Sequence, residues 1–199
     1  MKLIFATKNS GKTRELSKAL EDTEFKVESL INQRTEAAPE TGSSFLENAL
    51  IKCRSVAETT GTPTIADDSG LVVPALNGRP GIYSARYSGP EASDEENIQK
   101  LIQEMRSISD RRAYFFCCLV FMVSSDDPFP IFAQGLWKGE ILKKPAGSGG
   151  FGYDPIFYLP EYGMTAAELP VEVKSSISHR ALAIKDFLSL YLKHEEKHC

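Results

Sequence analysis

The residues of this chain that could carry out chemistry are carboxylates and lysines close to the ends of predicted strands and helices. Two adjacent aspartates, Asp67 and Asp68, follow Thr64 and Ile65 and precede a Ser-Gly pair, a pattern that predicts a strand ending in a sharp turn. Successive strand residues point to opposite faces, so at least one carboxylate would lie at a sheet end, where an oxygen-binding cation could reach it. An Asx turn that only caps the strand would explain the same residues.

A second group of candidate residues lies where the first predicted strand, residues 3–6, meets a predicted helix over 13–20. The turn brings Lys12 to a helix N-terminus, where exposed N–H groups and the helix dipole favour a phosphate. The segment nearly matches a Walker A motif, but Ala6 stands where its first glycine would be, so another kind of phosphate-binding turn is favoured. A plain strand-turn-helix unit with solvated lysines is the alternative.

The third group surrounds a predicted amphipathic helix over 45–57, which begins near Ser43 or Ser44. Glu40 lies just outside its N-terminus, where a carboxylate interacts favourably with the helix dipole and could act as a capping residue. Asn48 and Lys52 are four residues apart and share one face of this helix. A solvated helix face explains that pair about as well as a binding site does.

The last group is a glycine-rich loop over residues 145–155, followed by a basic segment. Glycine lets backbone approach a flat ligand closely, and Phe151 could stack on that ligand, although loop aromatics are also common core anchors. Lys174, His179 and Arg180 bring positive charge to the predicted start of the final helix, near Ser178. Because cations oppose the dipole at that end, they suggest an anionic ligand.

The elements that position these residues predict an α/β fold. Strand and helix signals alternate up to residue 57, a Ser93-capped helix follows over 94–105, and strands over 113–123 and 130–142 form a predicted antiparallel hairpin. We therefore expect a mixed twisted sheet with flanking helices, in which residues 1–199 form one domain of two lobes around a central nucleotide-binding cleft. The final helix is expected to bury Leu182, Phe187, Leu188, Tyr191 and Leu192.

Composition narrows the class of protein. A net charge of −4 and a pI near 5.5 argue against a nucleic-acid-binding surface. The given sequence has no long apolar run, and because its first residues are typical of a strand, no signal peptide is expected. The spacing of the cysteines is not that of a metal site: Cys53, Cys117, Cys118 and Cys199. The histidines also lack the spacing of zinc ligands, and His198 lies in the polar tail, so the sequence argues against a zinc site. A cytoplasmic protein with structural or inert thiols is predicted.

Together, the motifs resemble the inosine and xanthosine triphosphate pyrophosphatase family over nearly the whole chain. The matching segments are Thr7-x-Asn9-x-x-Lys12, Glu40-Thr41-Gly42 with Phe45-x-Glu47-Asn48-Ala49, Ala66-Asp67-Asp68-Ser69-Gly70, Pro80-Gly81-Ile82-Tyr83-Ser84-Ala85-Arg86-Tyr87, Gly149-Gly150-Phe151-Gly152-Tyr153-Asp154-Pro155 and Ser178-His179-Arg180. Lys8 departs from the family, which usually has a small residue there, and Pro39 before Glu40 is a second departure. Lys8 could add a phosphate contact or alter the turn.

The resemblance implies hydrolysis of non-standard purine nucleoside triphosphates (ITP, dITP, XTP) to the monophosphate and pyrophosphate, in a homodimer. It implies Mg²⁺ held by Glu40 and Asp68, with Asp68 as the base that deprotonates water, and Asp67 assisting the metal site or fixing the turn. The implied substrate-binding residues are Thr7, Lys8, Asn9, Ser10, Gly11, Lys12, Lys52, Ser69, Phe151, Gly152, Tyr153, Asp154, Lys174, His179 and Arg180.

Selectivity for a 6-oxopurine would follow from its O6 acceptor and N1–H donor, which adenine reverses, so ATP would leave groups of the site unpaired. Lys174, His179 and Arg180 would supply donors near the base and sugar, and Asp154 would accept from the base edge. The alternatives are a P-loop nucleotide kinase, a pyrimidine-directed (dTTP or UTP) pyrophosphatase and a nucleotide-binding module without catalysis. Carboxylates beside a phosphate site argue against the last, because they help only if a cation is present.

Overall fold

A computed structural model describes residues 1–32 and 38–195. The strands and helices alternate at first, and the strands then follow one another. In chain order the elements are β1 (Lys2–Phe5), α1 (Ser10–Ala19), β2 (Lys26–Ser29), α2 (Phe45–Thr60), β3 (Thr64–Val72), α3 (Asp94–Glu104), β4 (Arg112–Met122), β5 (Ile131–Ile141), β6 (Phe157–Leu159), β7 (Met164–Thr165), α4 (Val171–Ile177) and α5 (His179–Glu195).

The strands form one seven-stranded mixed sheet in the order β2-β1-β3-β4-β5-β6-β7. β1 pairs in parallel with both β2 and β3, whereas β6 pairs antiparallel with β5 and β7. The predicted fold class, a mixed sheet with flanking helices, is therefore confirmed. The register pairs Phe5 with Ile65, so the end of β1 lies beside the part of β3 that leads into the two aspartates.

The chain divides into two compact units. Unit 1 comprises Met1–Asp68, Cys117–Gly135 and the residues from Arg180 onward, and unit 2 comprises Ser69–Phe116 and Leu136–His179. Each unit has its own hydrophobic core. Buried members in unit 1 are Phe5, Leu16, Ile65, Leu119 and Phe187, and those in unit 2 are Leu71, Ile98, Leu101, Trp137 and Phe157. That the units form one domain with a nucleotide cleft stays a prediction.

The structure corrects the predicted end of the strand at the aspartate pair. β3 continues through Asp67, Asp68, Ser69 and Gly70 to Val72, so neither the sharp turn nor the Asx turn is present. A strand can continue here because the two carboxylates are buried against cationic and amide side chains rather than being turned towards water.

Three other boundaries differ from the sequence-based expectations. α1 begins at Ser10, so Gly11 and Lys12 are helical rather than part of the turn. Lys174 lies in a separate short helix, α4, rather than at the entry of the final helix. The proline- and glycine-rich stretch Asn77–Pro90, whose composition predicts a long loop, contains the 3₁₀ helix Gly81–Arg86.

The buried face of α5 also differs from the prediction. Phe187 and Tyr191 are buried as expected, and Ala183 and Ile184 join them, but Leu182 and Leu192 are exposed. Leu182 and Leu192 each lie five positions from Phe187, which turns them roughly 140° away from it on a helix. Cys199 and His198 lie outside the described residues. The helices of residues 1–32 and 38–195 include none that is long and apolar enough to span a membrane.

Candidate active site

Asp67 is the centre of a buried ionic group in unit 1. Its carboxylate accepts a hydrogen bond of 2.7 Å from Lys12 Nζ, and the Nε atom of Arg180 lies 3.9 Å from the same oxygen. The Arg180 guanidinium also pairs with Glu15 on α1. Since Asp67 is 1% exposed, these cations replace the water that would otherwise solvate its charge.

Asp68 belongs to a different group, because alternation along β3 turns its side chain to the opposite face. Its Oδ2 atom accepts from Asn48 Nδ2 at 3.1 Å, and its Oδ1 atom lies 3.5 Å from Lys52 Nζ. The same ammonium donates to Glu40 at 2.9 Å. Lys52 therefore connects the two carboxylates, Glu40 and Asp68, that the resemblance assigns to a metal.

Local capping of α2 places Asn48 and Lys52 in this group. The Ser44 hydroxyl accepts from Glu47 N, and the Glu47 carboxylate accepts from Ser43 N at 2.7 Å, which fixes where the helix begins. Glu47, expected only as part of a motif, thus acts as a capping residue.

Gly42 brings the segment that carries Glu40 close to the start of α2. Its N–H donates to Asn48 Oδ1 at 2.8 Å, and a Cβ atom at this position would lie only 2.6 Å from the Cβ of Glu47. Only glycine permits this approach. Asn48 consequently holds both Gly42 and Asp68, one through each end of its amide.

The predicted phosphate-binding turn is built around Asn9. Asn9 is the N-cap of α1 and accepts from Lys12 N at 3.0 Å, while its own N–H donates to Thr7 Oγ1 at 3.1 Å. These bonds fix the first turn of α1 and direct Lys12 to Asp67. Lys8 and Ser10 are exposed.

The environments of the two aspartates shift their pKa values in opposite directions. Burial raises the pKa of Asp67, but the charges of Lys12, Lys52 and Arg180 outweigh burial and hold this pKa below its ordinary value. Burial also raises the pKa of Asp68, and there it prevails over the opposing charge of Lys52, with Glu40 adding to the increase. Asp67 is the more acidic and Asp68 the more basic of the pair.

The donor set of the Asp68 group suits Mg²⁺ that arrives with a phosphorylated ligand. Mg²⁺ is usually bound by one or two carboxylates together with substrate phosphates, and Glu40 and Asp68 already converge on one cation, the Lys52 ammonium. Within residues 1–32 and 38–195 no cluster of three acidic, histidine or cysteine residues could form a cage made by the protein alone. The residues therefore fit Mg²⁺ shared with phosphates.

In unit 2, the glycine-rich loop and α4 form a second candidate site. Asp154 is buried, accepts from Phe151 N at 2.8 Å and pairs with Lys174 from α4. The Lys174 ammonium lies 5.5 Å from the centre of the Phe151 ring, which is 44% exposed. A Cβ on Gly150 would lie 2.0 Å from Asp154 Oδ2, so this packing requires glycine.

Two other predicted residues of unit 2 have buried side chains. Tyr153 donates its hydroxyl proton to the Ser84 carbonyl at 2.9 Å, which anchors the loop. The His179 ring stacks on Phe115 with a centroid distance of 4.8 Å. Tyr153 and His179 therefore also contribute to packing, and their contact with a substrate stays a prediction.

The structure brings the predicted residues together in three groups. In unit 1, Lys12 and Arg180 lie beside Asp67, and Glu40 and Lys52 lie with Asp68; in unit 2, Phe151, Asp154 and Lys174 form the third group. Arg180, which the sequence analysis grouped with Lys174 and His179, has its ion pairs with Asp67 and Glu15.

Sequence reasoning missed two residues that position this chemistry. The sequence indicates Asn48 as a member of a family motif and of the Lys52 helix face but assigns it no role in the site, and it does not indicate Glu15. The signal for Asn48 was an amide one turn before a lysine on a helix that follows an acidic loop. The sequence carries no comparable signal for Glu15, whose partner is 165 positions away.

The chain is similar to known proteins over almost its whole length. The model of the Ham1 family matches residues 3–190. A dITP/XTP pyrophosphatase of Yersinia pestis is 52% identical over 186 residues, which cover 92% of this chain and 94% of that protein. The dITP/XTP pyrophosphatase of Escherichia coli (strain K12) is 50% identical over the same coverage.

Solved structures give the same result. A HAM1 protein from Coxiella burnetii superposes with a TM-score of 0.92 at 42% identity, covering 97% of this chain and 99% of that one. The Ham1 protein of Staphylococcus aureus gives a TM-score of 0.87 at 40% identity, covering 98% and 100%. The resemblance inferred from the motifs is thereby confirmed, and the chain belongs to the Ham1 family.

Proposed function

We propose that this protein hydrolyses the triphosphates of non-standard purine nucleosides, namely ITP, dITP and XTP, to the nucleoside monophosphate and pyrophosphate. Relatives named dITP/XTP pyrophosphatases, about half identical to this chain over most of its length, support the reaction and the substrate class. Such an enzyme removes these nucleotides from the pool available for nucleic acid synthesis.

The observation that carries the proposal is the difference between the two adjacent aspartates. Asp67 is neutralised by Lys12 and Arg180, whereas Asp68 has a raised pKa and lies beside Asn48 and Lys52. Paired carboxylates whose pKa values are moved apart commonly take different roles in acid–base catalysis. We assign Asp68 as the base and Asp67 as the carboxylate that orients Lys12 and Arg180.

In the proposed reaction, Asp68 accepts a proton from water as the water oxygen bonds to the α-phosphorus. The bridging P–O bond breaks, and its electron pair leaves with the pyrophosphate. Lys12 and Lys52, with Thr7, Asn9 and the N–H groups at the start of α1, bind the triphosphate and neutralise charge that develops on the leaving group. Arg180 contributes a further positive charge beside Asp67.

Mg²⁺ is the proposed cofactor, held by Glu40, Asp68 and oxygens of the triphosphate. When bound, it supplies charge neutralisation on the phosphates and polarises the bond that breaks. Lys52, which connects the same two carboxylates through its ammonium, holds them at one location before the metal arrives.

Unit 2 is proposed to read the base. The exposed Phe151 ring offers a stacking surface, and Lys174 and Asp154 offer a donor and an acceptor beside it. A 6-oxopurine accepts a hydrogen bond at O6 and donates one from N1–H, so it matches a site that offers one donor and one acceptor. Adenine reverses this pattern and would leave both groups of the site unpaired. The homodimer, the single two-lobed domain and the cytoplasmic location implied by the family stay predictions.

The proposal is tested by supplying ITP, XTP, GTP, ATP and dTTP with Mg²⁺ and resolving pyrophosphate from orthophosphate. We expect pyrophosphate release, fastest with ITP or XTP. Asp68→Asn should lower kcat by about 10²-fold to 10⁴-fold, because general base catalysis contributes on that order. ITP should still bind to this variant, since the amide keeps the shape of the side chain.

Other outcomes identify the alternatives. Orthophosphate release would indicate transfer chemistry at the γ-phosphate, and a preference for dTTP would indicate a pyrimidine-directed enzyme. Tight ITP binding without turnover would indicate a binding module. Full activity of Asp68→Asn would contradict the assignment of the base even if the substrate class were correct.

A further inference from the structure

Asp94, the first residue of α3, reaches the glycine-rich loop of unit 2. Its Oδ2 atom accepts a hydrogen bond of 2.6 Å from Gly152 N, across 58 positions of sequence. Gly152 has a φ of +59°, a backbone conformation that other residues rarely adopt, and the N–H of this turn points to the Asp94 carboxylate. The contact joins a separate helix to the segment that carries Phe151.

Together with Asp154, Asp94 restrains both peptide groups that flank Phe151. Asp154 accepts from the N–H of Phe151 itself, and Asp94 accepts from the next N–H along the chain, that of Gly152. A residue whose preceding and following peptide groups are both hydrogen-bonded has little freedom in φ and ψ. The direction in which the Phe151 side chain leaves the backbone is set by these two carboxylates.

The Phe151 ring is 44% exposed, so neighbouring groups of the protein cover only part of it. The Lys174 ammonium lies 5.5 Å from the ring centre. A ring that is to stack on a ligand binds it more tightly when it is held in the bound orientation beforehand. The backbone restraint by Asp94 therefore increases the affinity of a stacking site for its ligand.

We propose that Asp94 is a positioning residue for base recognition: it fixes Phe151 for stacking on the purine and so determines substrate affinity rather than the chemical step. This inference rests on the proposed function. It assigns a role to a side chain outside the loop, outside the basic segment and outside the carboxylates of unit 1.

A purely structural role of Asp94 would arise from its place at a helix N-terminus, where a negative charge is favourable. Glu95 and Glu96 lie in the same turn, and Ser93 with Glu96 already forms a capping box. The helix start thus keeps two other acids and its cap when Asp94 is replaced. The two roles differ in what they require: the helix dipole needs the charge, and the Gly152 bond needs only an acceptor oxygen.

The test compares KM and kcat for ITP among Asp94→Ala, Asp94→Asn and Glu95→Gln. A hydrogen bond to a charged group is worth about tenfold in an equilibrium constant, so Asp94→Ala should raise KM by about tenfold with kcat changed less than about twofold. Asp94→Asn keeps an acceptor and should stay within about threefold of wild type. Glu95→Gln, which loses only charge in the same turn, should be unchanged.

A double-mutant cycle with Phe151→Ala locates the effect. If Asp94 acts through the ring, Asp94→Ala should change KM by less than about twofold once the ring has been removed. Additive effects of the two substitutions would overturn the proposal, as would an unchanged KM in Asp94→Ala or an Asn variant as impaired as the Ala variant.

Calorimetry of the binding of IMP, the monophosphate product of ITP, distinguishes a failure of this proposal from a failure of the proposed function. A wild-type protein that binds IMP without hydrolysing ITP would contradict the activity while leaving the Asp94 effect measurable as the same tenfold change in Kd. A wild-type protein that hydrolyses ITP, with Asp94→Ala equal to it in KM and Kd, would overturn only the role of Asp94. If neither hydrolysis nor binding occurs in the wild type, both proposals are wrong.

Discussion

At the scale of residues, the site depends on hydrogen bonds that give neighbouring side chains different tasks. Asp67 and Asp68 are adjacent, yet one is neutralised by two cations and the other is held by an amide and shares an ammonium with Glu40. The amide of Asn48 is central to this difference, because it orients Asp68 and the Glu40 segment at once.

Replacing Asn48 by alanine should therefore affect both stability and catalysis. The change leaves Gly42 N and Asp68 Oδ2 without this partner and should cost about 2 kcal/mol of unfolding free energy. We also expect kcat for ITP to fall by about tenfold or more, because Asp68 loses the bond that orients it. Urea unfolding and steady-state hydrolysis measure the two effects.

Asn97 provides a matched control in unit 2. It is also buried, and its amide makes two similar bonds, accepting from Ser88 N at 2.8 Å and donating to the Ala85 carbonyl at 3.2 Å. Asn97→Ala should lose a similar amount of stability while kcat changes little. Equal losses of kcat in the two variants would mean that the effect of Asn48 is one of general stability.

At the scale of elements, helix starts are where local sequence has most influence. The predicted Ser93 cap is present and forms a capping box with Glu96 in which both bonds are made, and the helix begins at Asp94 as predicted. β3 is the opposite case: local turn chemistry predicted an end at Asp67-Asp68, and long-range ion pairs allow the strand to continue.

Replacing Ser93 by alanine should lower stability through the loss of the cap. A Ser-to-Ala change at an N-cap costs about 1 kcal/mol, which corresponds to a fall in Tm of about 2–4 °C for a chain of this size. Thermal unfolding followed by circular dichroism measures the change. The control is Ser55→Ala, inside α2. This change should leave Tm unchanged or slightly raised, because alanine favours helix. If Ser55→Ala lowered Tm as much as Ser93→Ala does, loss of the cap would not explain the effect.

At the scale of the whole molecule, the buried cysteines of unit 1 resist ionisation. Burial raises the pKa of the Cys53 thiol to about 12 and that of Cys118 to about 11, and it raises the pKa of Cys117 as well. The carbonyl oxygens of Thr64 and Val120 lie 3.2 and 3.4 Å from Cys53 Sγ, so either can accept its single proton. Among the described residues, the cysteines are buried free thiols, in agreement with an inert structural role.

These raised pKa values predict that stability falls in alkali. Below the ordinary thiol pKa near 9, folded and unfolded chains are equally protonated and the full stability is present. As pH rises above 9, the unfolded chain loses thiol protons first, so the unfolding free energy should fall by about 1.4 kcal/mol per pH unit for each such thiol. Urea unfolding between pH 7 and 10.5 measures this slope.

The Cys53→Ala variant tests the cause of that slope. It should be less stable than wild type at pH 7, and its stability should decline less steeply above pH 9, because one thiol no longer resists ionisation. An unchanged slope would assign the alkaline decline to other groups, such as Tyr87, whose pKa burial also raises.

The sequence alone determined the class of fold, the family and the candidates for the site. Alternation of apolar residues, capping pairs and glycine positions act over a few residues, so the hairpin strands, α2 and α3 could be read from the chain. The carboxylates and lysines could be named as candidates because Mg²⁺ and phosphates require those residue types at helix and strand ends.

Only the tertiary structure decided how those candidates are paired. Lys12 with Asp67, Arg180 with Glu15, and Asp94 with Gly152 join residues 55, 165 and 58 positions apart, and no local pattern encodes such contacts. The exposure of Leu182 and the continuation of β3 were decided in the same way. Burial and charge pairing depend on what the rest of the chain brings near a residue, and that is a property of the folded molecule.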